Sequence, residues 1–192
     1  VDGANFPETG YQSLGVASKP LIDNTQVGSE IFYPGKVSEE KRLELRELNK
    51  KIAKELGYNF GLTHGEYFVT ENNIYFIEMA NRGAGCHIST YAVSDYCGID
   101  LTTQLIESAM GSSEDLYKSK DGQEFNSACI SFFQLKPGHL KSIEGIKKAR
   151  NFEGVREIHL FVEPGDQIRK VQNDVDRAGF VIVSGPSPDM VQ

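Results

Sequence analysis

The sequence predicts an α+β fold built on antiparallel strands, and three observations carry that prediction. Two apolar runs, Tyr67–Thr70 and Ile74–Met79, flank a polar triplet at 71–73, which is typical of a β-hairpin. Apolar residues recur every three or four positions over 38–56, which indicates an amphipathic helix. Beyond residue 125, short apolar runs between Pro-Gly turns indicate further strands with local antiparallel pairing.

The hairpin concentrates acidic residues in an apolar ladder. A three-residue loop at 71–73 would place Phe68 opposite Phe76 and Glu66 opposite Glu78. Opposed carboxylates about 5 Å apart repel each other, so this pair needs a shared proton or a divalent cation, and oxygen ligands favour Mg²⁺. A two-residue loop at 72–73 would instead put the carboxylates on opposite faces. Two solvated glutamates at a sheet edge are the other interpretation.

A candidate anion site follows the hairpin directly. Arg82 is followed by Gly83-Ala84-Gly85, and a helix is predicted from His87. Glycines let backbone amides approach an anion, a helix N-terminus adds partial positive charge, and arginine supplies a fork of donors. Carboxylates for a metal beside an anion site suggest a phosphate bridged by magnesium.

These residues resemble the magnesium-binding segment of the ATP-grasp superfamily, which includes biotin carboxylase and carbamoyl-phosphate synthase. The matching pattern is Glu66, then Glu78 within Phe-Ile-Glu-Met, then Arg82 four residues later. The His64-Gly65-Glu66 triplet and the Arg-Gly-Ala-Gly run are most similar to the L-amino-acid ligases and their carbamoyl-phosphate-synthase-like relatives. The resemblance implies the C-terminal lobe of an ATP-grasp enzyme, an antiparallel sheet with helices, followed by a small α+β domain.

The resemblance also implies roles for individual residues. Glu66 and Glu78 would bind Mg²⁺ together with the phosphates of ATP, and Mn²⁺ is the alternative metal. Arg82 would contact phosphate or the acid substrate, and the amides of Gly83 and Gly85 would assist. Many members carry a third metal ligand, an asparagine, two residues after the second glutamate, where this chain has Ala80. Either a bulge re-aims the neighbouring Asn81 towards the metal, or the protein supplies two ligands.

The predicted domain organisation is a lobe at 1–112, a polar linker at 113–125 and an α+β domain at 126–192. The turn-forming runs of the last segment resemble the C-terminal domain of the L-amino-acid-ligase branch. The chain does not begin with methionine, and Val1-Asp2-Gly3 is similar to the end of a strand that follows the adenine-binding segment of the family. We therefore expect the C-terminal piece of a longer enzyme, nearly inert by itself because the phosphate-gripping lysines would lie upstream.

Helix boundaries are predicted from capping residues and apolar spacing. Ser38 should cap a helix that Gly57 ends, and its buried stripe should contain Leu45, Leu48, Ile52 and Leu56. A second helix is predicted over 87–96. Asp100 should cap a third, with a stripe of Leu101, Leu105, Ile106 and Ala109. Strands are predicted at 15–20, 31–33, 126–135, 140–143, 155–162 and 180–183.

Composition excludes several classes of protein. The net charge of −7 over 192 residues argues against a general nucleic-acid-binding surface. No apolar run is long enough to span a membrane, and the first residues do not resemble a signal peptide. Three cysteines without a Cys-x-x-Cys motif fit a reducing cytoplasm better than a disulfide framework.

The resemblance thus implies a Mg-ATP-dependent ligase that joins a small-molecule carboxylate to an amine or another nucleophile through an acyl phosphate. The alternatives are a Mg-dependent phosphate hydrolase and a non-catalytic scaffold, which Ala80 favours. A homodimer is compatible with each of these three functions. We expect His87 to cap its helix, with contact to a substrate as the alternative, and Arg177 to be an ordinary surface residue rather than one that closes over the active site. We expect His139 to be exposed after its Pro-Gly turn and His159 to lie at the edge of a sheet, neither with a role.

Overall fold

Antiparallel strands form three sheets within residues 1–7, 9–111 and 125–191, the parts of the chain that this computed structural model describes. The first sheet contains β1 (Asp2–Phe6), β2 (Gly10–Gly15), β4 (Gly61–Val69) and β5 (Ile74–Ala80), in the order β2-β1-β4-β5. The second contains β3 (Glu30–Tyr33), β6 (Ser127–Phe132), β8 (Val155–Leu160) and β10 (Gly179–Gly185), in the order β3-β6-β10-β8. A third sheet pairs β7 (Gly138–His139) with β9 (Gln167–Ile168). The α+β prediction is confirmed.

Short helices connect these strands. They are α1 (Glu39–Glu55), α2 (Ser94–Cys97), α3 (Leu101–Ala109) and α4 (Ile146–Ala149). A π-helical turn, Ile88–Val93, leads directly into α2, so the single helix predicted over 87–96 is wrong in its type. No helix among the described residues is long and apolar enough to cross a lipid bilayer.

Helix α1 begins as predicted, but it turns a different face to the sheet. Ser38 accepts a hydrogen bond from the amide of Lys41, as an N-cap should. The buried residues are Leu45, Asn49 and Ala53, whereas Leu56 is half exposed, so the predicted stripe is confirmed at Leu45 and wrong at Leu56. Asn49 faces the sheet because its side chain forms hydrogen bonds there. It accepts one from the Tyr67 hydroxyl at 2.7 Å and donates another to Tyr11.

Helix α3 shows the same kind of difference. Its predicted cap is confirmed, since Asp100 accepts a hydrogen bond from the amide of Thr103 at 3.1 Å. Leu101 and Gln104 are the buried residues, while Ile106 is more than half exposed. The predicted stripe is therefore wrong apart from Leu101 and the half-buried Leu105.

Several predicted strands are displaced. The run at 15–20 is not a strand: β2 ends at Gly15, and Ser18 makes a single bridge to Phe32. Residues 140–143 form no strand, because the pairing lies two residues earlier in β7. The opening Val1-Asp2-Gly3 begins β1 rather than ending a strand.

One hydrophobic core lies between the two larger sheets. It combines residues of the first sheet, such as Ala4 and Leu62, with Ile130 and Phe180 of the second. Strand β3 pairs with β6, so the second sheet takes strands from both sides of the predicted linker. Most of that linker, residues 113–124, lies outside the described residues.

Candidate active site

The hairpin of β4 and β5 places the two predicted carboxylates opposite each other. Glu66 pairs with Glu78, as the sequence predicts, and His64 pairs with Ala80. Nearer the tip the predicted register is wrong, because Phe68 faces Tyr75 and not Phe76. Glu66 and Glu78 therefore project from the same face, which is the arrangement that a shared cation requires.

A β-bulge in β5 explains why the predicted register is right at Glu66 and wrong nearer the tip of the hairpin. The turn is tighter than predicted: the amide of Thr70 donates to the carbonyl of Asn73 at 2.8 Å, which leaves two residues at the tip. The pairing then shifts by one between Glu66 and Tyr67, where the intervening Ile77 has no partner of its own on β4. This extra residue in β5 replaces the third loop residue of the prediction and returns Glu78 to Glu66.

Glu66 is held between two cationic groups. Its Oε2 lies 2.7 Å from Nζ of Lys19, and its Oε1 lies 3.6 Å from Nε2 of His64. The interactions with His64 and Lys19 outweigh the opposing effect of partial burial and lower the pKa of Glu66 to about 2. The carboxylate is therefore ionised at neutral pH and available to a cation.

His64 is fixed from behind by a buried carboxylate. Asp2, which is 2% exposed, contacts Nδ1 of His64 at 2.8 Å and accepts a hydrogen bond from the Tyr33 hydroxyl at 2.5 Å. Burial lowers the pKa of His64, but the charge and hydrogen bond of Asp2 outweigh it and raise the pKa to about 9. For Asp2, burial raises the pKa, but the charge and hydrogen bond of His64 outweigh burial and lower the pKa overall. His64 is thus an imidazolium anchored to Asp2.

The other predicted site residues lie on the exposed side of this arrangement. Glu78 and Arg82 are exposed, and Nη1 of Arg82 donates to the carbonyl of Gly83 at 3.0 Å. The Asn81 amide is oriented so that its nitrogen faces two carbonyl oxygens. Nδ2 of Asn81 then donates to the carbonyls of Phe60 at 3.1 Å and Leu62 at 3.3 Å. Its Oδ1 is then the atom that could face a metal, so the ligand role of Asn81 stays a prediction.

The two glycines of the loop serve different purposes. A side chain at Gly83 would lie 2.7 Å from Oγ of Ser89, which accepts a hydrogen bond from the amide of Ala84. Gly83 is therefore required for packing, and the amide of Ala84 is already used. Gly85 has open space around it, so its backbone can be approached by a ligand.

The loop ends in an unusual backbone conformation. Cys86 and His87 both have positive φ, 51° and 58°, and the π-helical turn follows. Positive φ in two successive non-glycine residues stores strain, and strain of this kind clusters at functional sites. His87 makes no side-chain capping hydrogen bond, so its predicted capping role is wrong. Its ring instead lies 6.2 Å from Phe180 and 6.3 Å from His159.

Arg177 is not the surface residue that the sequence suggests. Its guanidinium lies 3.7 Å from the centre of the Phe132 ring, donates to the carbonyl of Gly28 at 3.0 Å and pairs with Asp174. It connects the strand-rich C-terminal part to the segment that carries Lys19. His139 is exposed, and His159 lies on the edge strand β8, both as predicted.

Sequence reasoning missed Lys19 and Asp2. The sequence also predicts His64 on the face of Glu66 and opposite Ala80, and this pairing is confirmed. Lys19 lies outside any strand or helix in the segment between β2 and β3, about fifty residues from Glu66, and no local pattern indicates it. Asp2 and His64 meet only because β1 and β4 pair.

The donor set fits a hard divalent cation with few protein ligands. Within the described ranges, no cluster of three or more His, Cys, Asp or Glu side chains could hold a metal. Glu66 and Glu78 provide two carboxylates on one face, so the remaining positions would be filled by water or phosphate oxygens. Mg²⁺ accepts such a site because it usually keeps several waters and binds through one or two carboxylates.

An open cleft of about 810 Å³ lies beside this site and is connected to it through Lys19. Apolar side chains form much of its wall, including Phe32 and Phe68, and the amines of Lys19, Lys36 and Lys41 line it as well. A cleft of this size with aromatic walls and basic residues can accommodate a planar, anionic ligand.

Comparison with known proteins shows what this fold is similar to. Residues 131–192 match the family model described as L-amino acid ligase C-terminal domain 2. The structure superimposes on an L-amino acid ligase from Bacillus licheniformis with a TM-score of 0.78 and 18% identity, covering 98% of this chain and 46% of that one. A phosphoribosylglycinamide synthetase from Anaerococcus prevotii gives a TM-score of 0.78 and 20% identity over 98% of this chain and 48% of its own.

This chain has the fold of the C-terminal part of an ATP-grasp ligase. A further ATP-grasp structure, the biotin carboxylase domain of a 2-oxoglutarate carboxylase from Hydrogenobacter thermophilus, matches with a TM-score of 0.65 and 19% identity over 96% of this chain and 40% of its own. That domain was solved with MgADP, ADP and bicarbonate. The chain spans about half the length of the solved ligases.

A relative in Sinorhizobium fredii, the uncharacterized protein y4rH, is 27% identical over 158 residues. The matched region covers 82% of this chain and 32% of that protein, so this relative too is much longer than the ATP-grasp part described here.

Proposed function

We propose that this chain is part of a Mg-ATP-dependent ligase that joins a small-molecule carboxylate to an amine or another nucleophile. The observation that carries the proposal is the pairing of Glu66 with Glu78 on one face of the first sheet. The ATP-grasp fold supports it, and the adjoining cleft offers room for a nucleotide.

In this proposal, the γ-phosphoryl group of ATP is transferred to the substrate carboxylate. The bond between the γ-phosphorus and its bridging oxygen breaks, and the products are ADP and an acyl phosphate. The amine then attacks the acyl carbon, loses a proton and expels inorganic phosphate. A bound Mg²⁺ would neutralise the negative charge that develops on the phosphate oxygens of the leaving group.

The chain's own residues would position and neutralise the reactants. Glu66 and Glu78 would hold the cation from one side, with Asn81 Oδ1 as a third donor. Arg82 is exposed and free to swing from the carbonyl of Gly83 towards a transferred phosphoryl group or the substrate carboxylate. The open backbone at Gly85 would add an amide donor to the same anion.

The proposed role of Glu78 can be tested by Glu78→Gln in the complete enzyme. The amide keeps the shape but removes the charge that the cation needs, so we expect ADP release to fall on the order of a hundredfold or more. Glu55→Gln, an exposed change near the end of α1, should leave turnover unchanged. Full activity of Glu78→Gln with unchanged magnesium dependence would refute the assignment.

Product analysis separates the ligase from its alternatives. A ligase releases ADP in proportion to added amine, whereas a magnesium-dependent hydrolase releases it without a second substrate. A scaffold would bind no Mg-ATP in a calorimetric titration of the complete protein. We also expect the 192-residue chain alone to turn over poorly, since it covers 46% of the matched L-amino acid ligase.

A further inference from the structure

The two oxygens of Glu66 face two cationic groups that are held very differently. His64, on the Oε1 side, is anchored to Asp2, which is itself buried between the sheets and bonded to Tyr33. The ring of His64 cannot move away from Glu66 without breaking its contact with Asp2. Lys19, on the Oε2 side, has an ammonium group at the end of a flexible stem and a side chain 37% exposed.

The stem and the head of Lys19 are also held unequally. The stem of Lys19 packs against Gly28, because a Cβ added at Gly28 would lie 3.0 Å from Cγ of Lys19. The ammonium group has Glu66 as its ion-pair partner among the described residues. Rotation about the terminal bonds of the stem can therefore move the head away while the stem stays packed.

The charges around the carboxylates do not balance. Glu66 and Glu78 bring two carboxylates to one face, and the His64 ring has a carboxylate partner of its own in the buried Asp2. Lys19 pairs with Glu66, and Glu78 has no ion pair among the described residues. A divalent cation would neutralise both carboxylates, but it needs the same oxygen that Lys19 occupies.

We infer that Lys19 is an internal counter-ion of the cation site, so that a divalent cation binds Glu66 and Glu78 by displacing the Lys19 ammonium from Oε2. This inference rests on the proposed function, because it takes the two glutamates as the cation ligands. Before the cation arrives, Lys19 keeps Glu66 paired and limits the repulsion between the carboxylates. Lys19 therefore sets how tightly the site binds a cation.

The first test measures cation affinity in this chain. Mn²⁺ is titrated into the ¹⁵N-labelled chain, and paramagnetic broadening of the amide signals at 64–66 and 78–80 is followed by NMR. An exposed ion pair contributes little, so we expect Lys19→Met to reach half-broadening at about threefold lower Mn²⁺ concentration. Lys19→Arg, which can keep the pair, and Lys50→Met, which removes the same charge from an exposed position on α1, should match the wild type.

The second test detects displacement itself. Lysine acetylation with a water-soluble ester is followed by mass spectrometry in MgCl₂ and in NaCl of equal ionic strength. Mg²⁺ should raise the acetylation rate of Lys19 about threefold, as its ammonium is released from an exposed pair, and leave that of Lys50 unchanged. A rise confined to Lys19 distinguishes displacement from a general electrostatic effect.

The outcomes separate this inference from the function on which it rests. If Glu66→Gln and Glu78→Gln abolish the local broadening while Lys19→Met leaves it at wild-type concentrations, or Mg²⁺ does not change Lys19 acetylation, the inference alone is overturned. If neither glutamate variant alters the broadening, the cation site and this inference are both withdrawn.

Discussion

At the scale of single residues, the buried carboxylates of Asp2 and Asp95 are paired, and each pair connects elements that are distant in sequence. Asp2 joins β1 to β4 through His64, and Asp95 joins α2 to β8 through Arg156. The Asp95 carboxylate is 1% exposed, lies 2.7 Å from Nε of Arg156 and accepts a hydrogen bond from Ser184 at 2.8 Å. Losing one partner of such a pair leaves an uncompensated charge in the interior, which costs more than the pair itself contributes.

The Asp95 pair gives a prediction for stability. Arg156→Ala should lower the free energy of unfolding by about 3 kcal/mol, because it removes the guanidinium that lies 2.7 Å from the buried Asp95 carboxylate. Arg150→Ala removes an arginine that is more than half exposed and 3.9 Å from Glu157, so it should cost less than about 1 kcal/mol. Urea denaturation followed by circular dichroism compares the two. Equal losses would show that Asp95 is compensated by other groups.

At the scale of elements, the β4–β5 hairpin is specified from both of its faces. One face carries Glu66 and Glu78, and the other packs on α1 through Gly65 and Tyr67. The sequence predicts the glutamate pair, but it assigns the extra residue to the turn when the residue lies in a bulge. Both arrangements give the same pairing beyond the bulge, and a count of residues cannot distinguish them. Hydrogen bonds of Thr70 with Asn73 decide in favour of the tight turn.

Gly65 tests the packing of the face opposite the site. A side chain at Gly65 would lie 2.3 Å from Oδ1 of Asn49 and 3.0 Å from the Tyr67 ring, so Gly65→Ala should lower the free energy of unfolding by about 2 kcal/mol. Gly85→Ala, where the added methyl meets open space, should change it by less than about 0.5 kcal/mol. Thermal denaturation of both variants checks the difference. A neutral Gly65→Ala would mean that α1 shifts freely on the sheet.

At the scale of the whole molecule, the two larger sheets share one core, although the sequence suggests a boundary between them. β3 lies well before the predicted linker and pairs with β6 beyond it, and Tyr33 of β3 reaches back to Asp2 in the first sheet. Ile130 is fully buried where these elements meet. The described parts should therefore unfold together.

Ile130→Ala measures this coupling. Truncation leaves a cavity in the shared core and should lower the free energy of unfolding by about 3 kcal/mol. Because one core serves both sheets, amide hydrogen exchange should speed up by the same factor in β1 and in β8. Ile106→Ala, at a position more than half exposed, serves as the control and should alter neither rate. Faster exchange confined to β6, β8 and β10 would mean that the two sheets unfold separately.

The sequence by itself determined the α+β class, the caps of α1 and α3 and the opposition of Glu66 to Glu78. These are local features, set by residue spacing, turn chemistry and the alternation of a strand. Only the tertiary structure decided the buried faces of the helices and the presence of Asp2 and Lys19 around His64 and Glu66. Those contacts join segments up to 62 positions apart, as between Asp2 and His64, because strand pairing brings them together. The spacing of apolar residues within one segment does not specify which distant segment packs beside it.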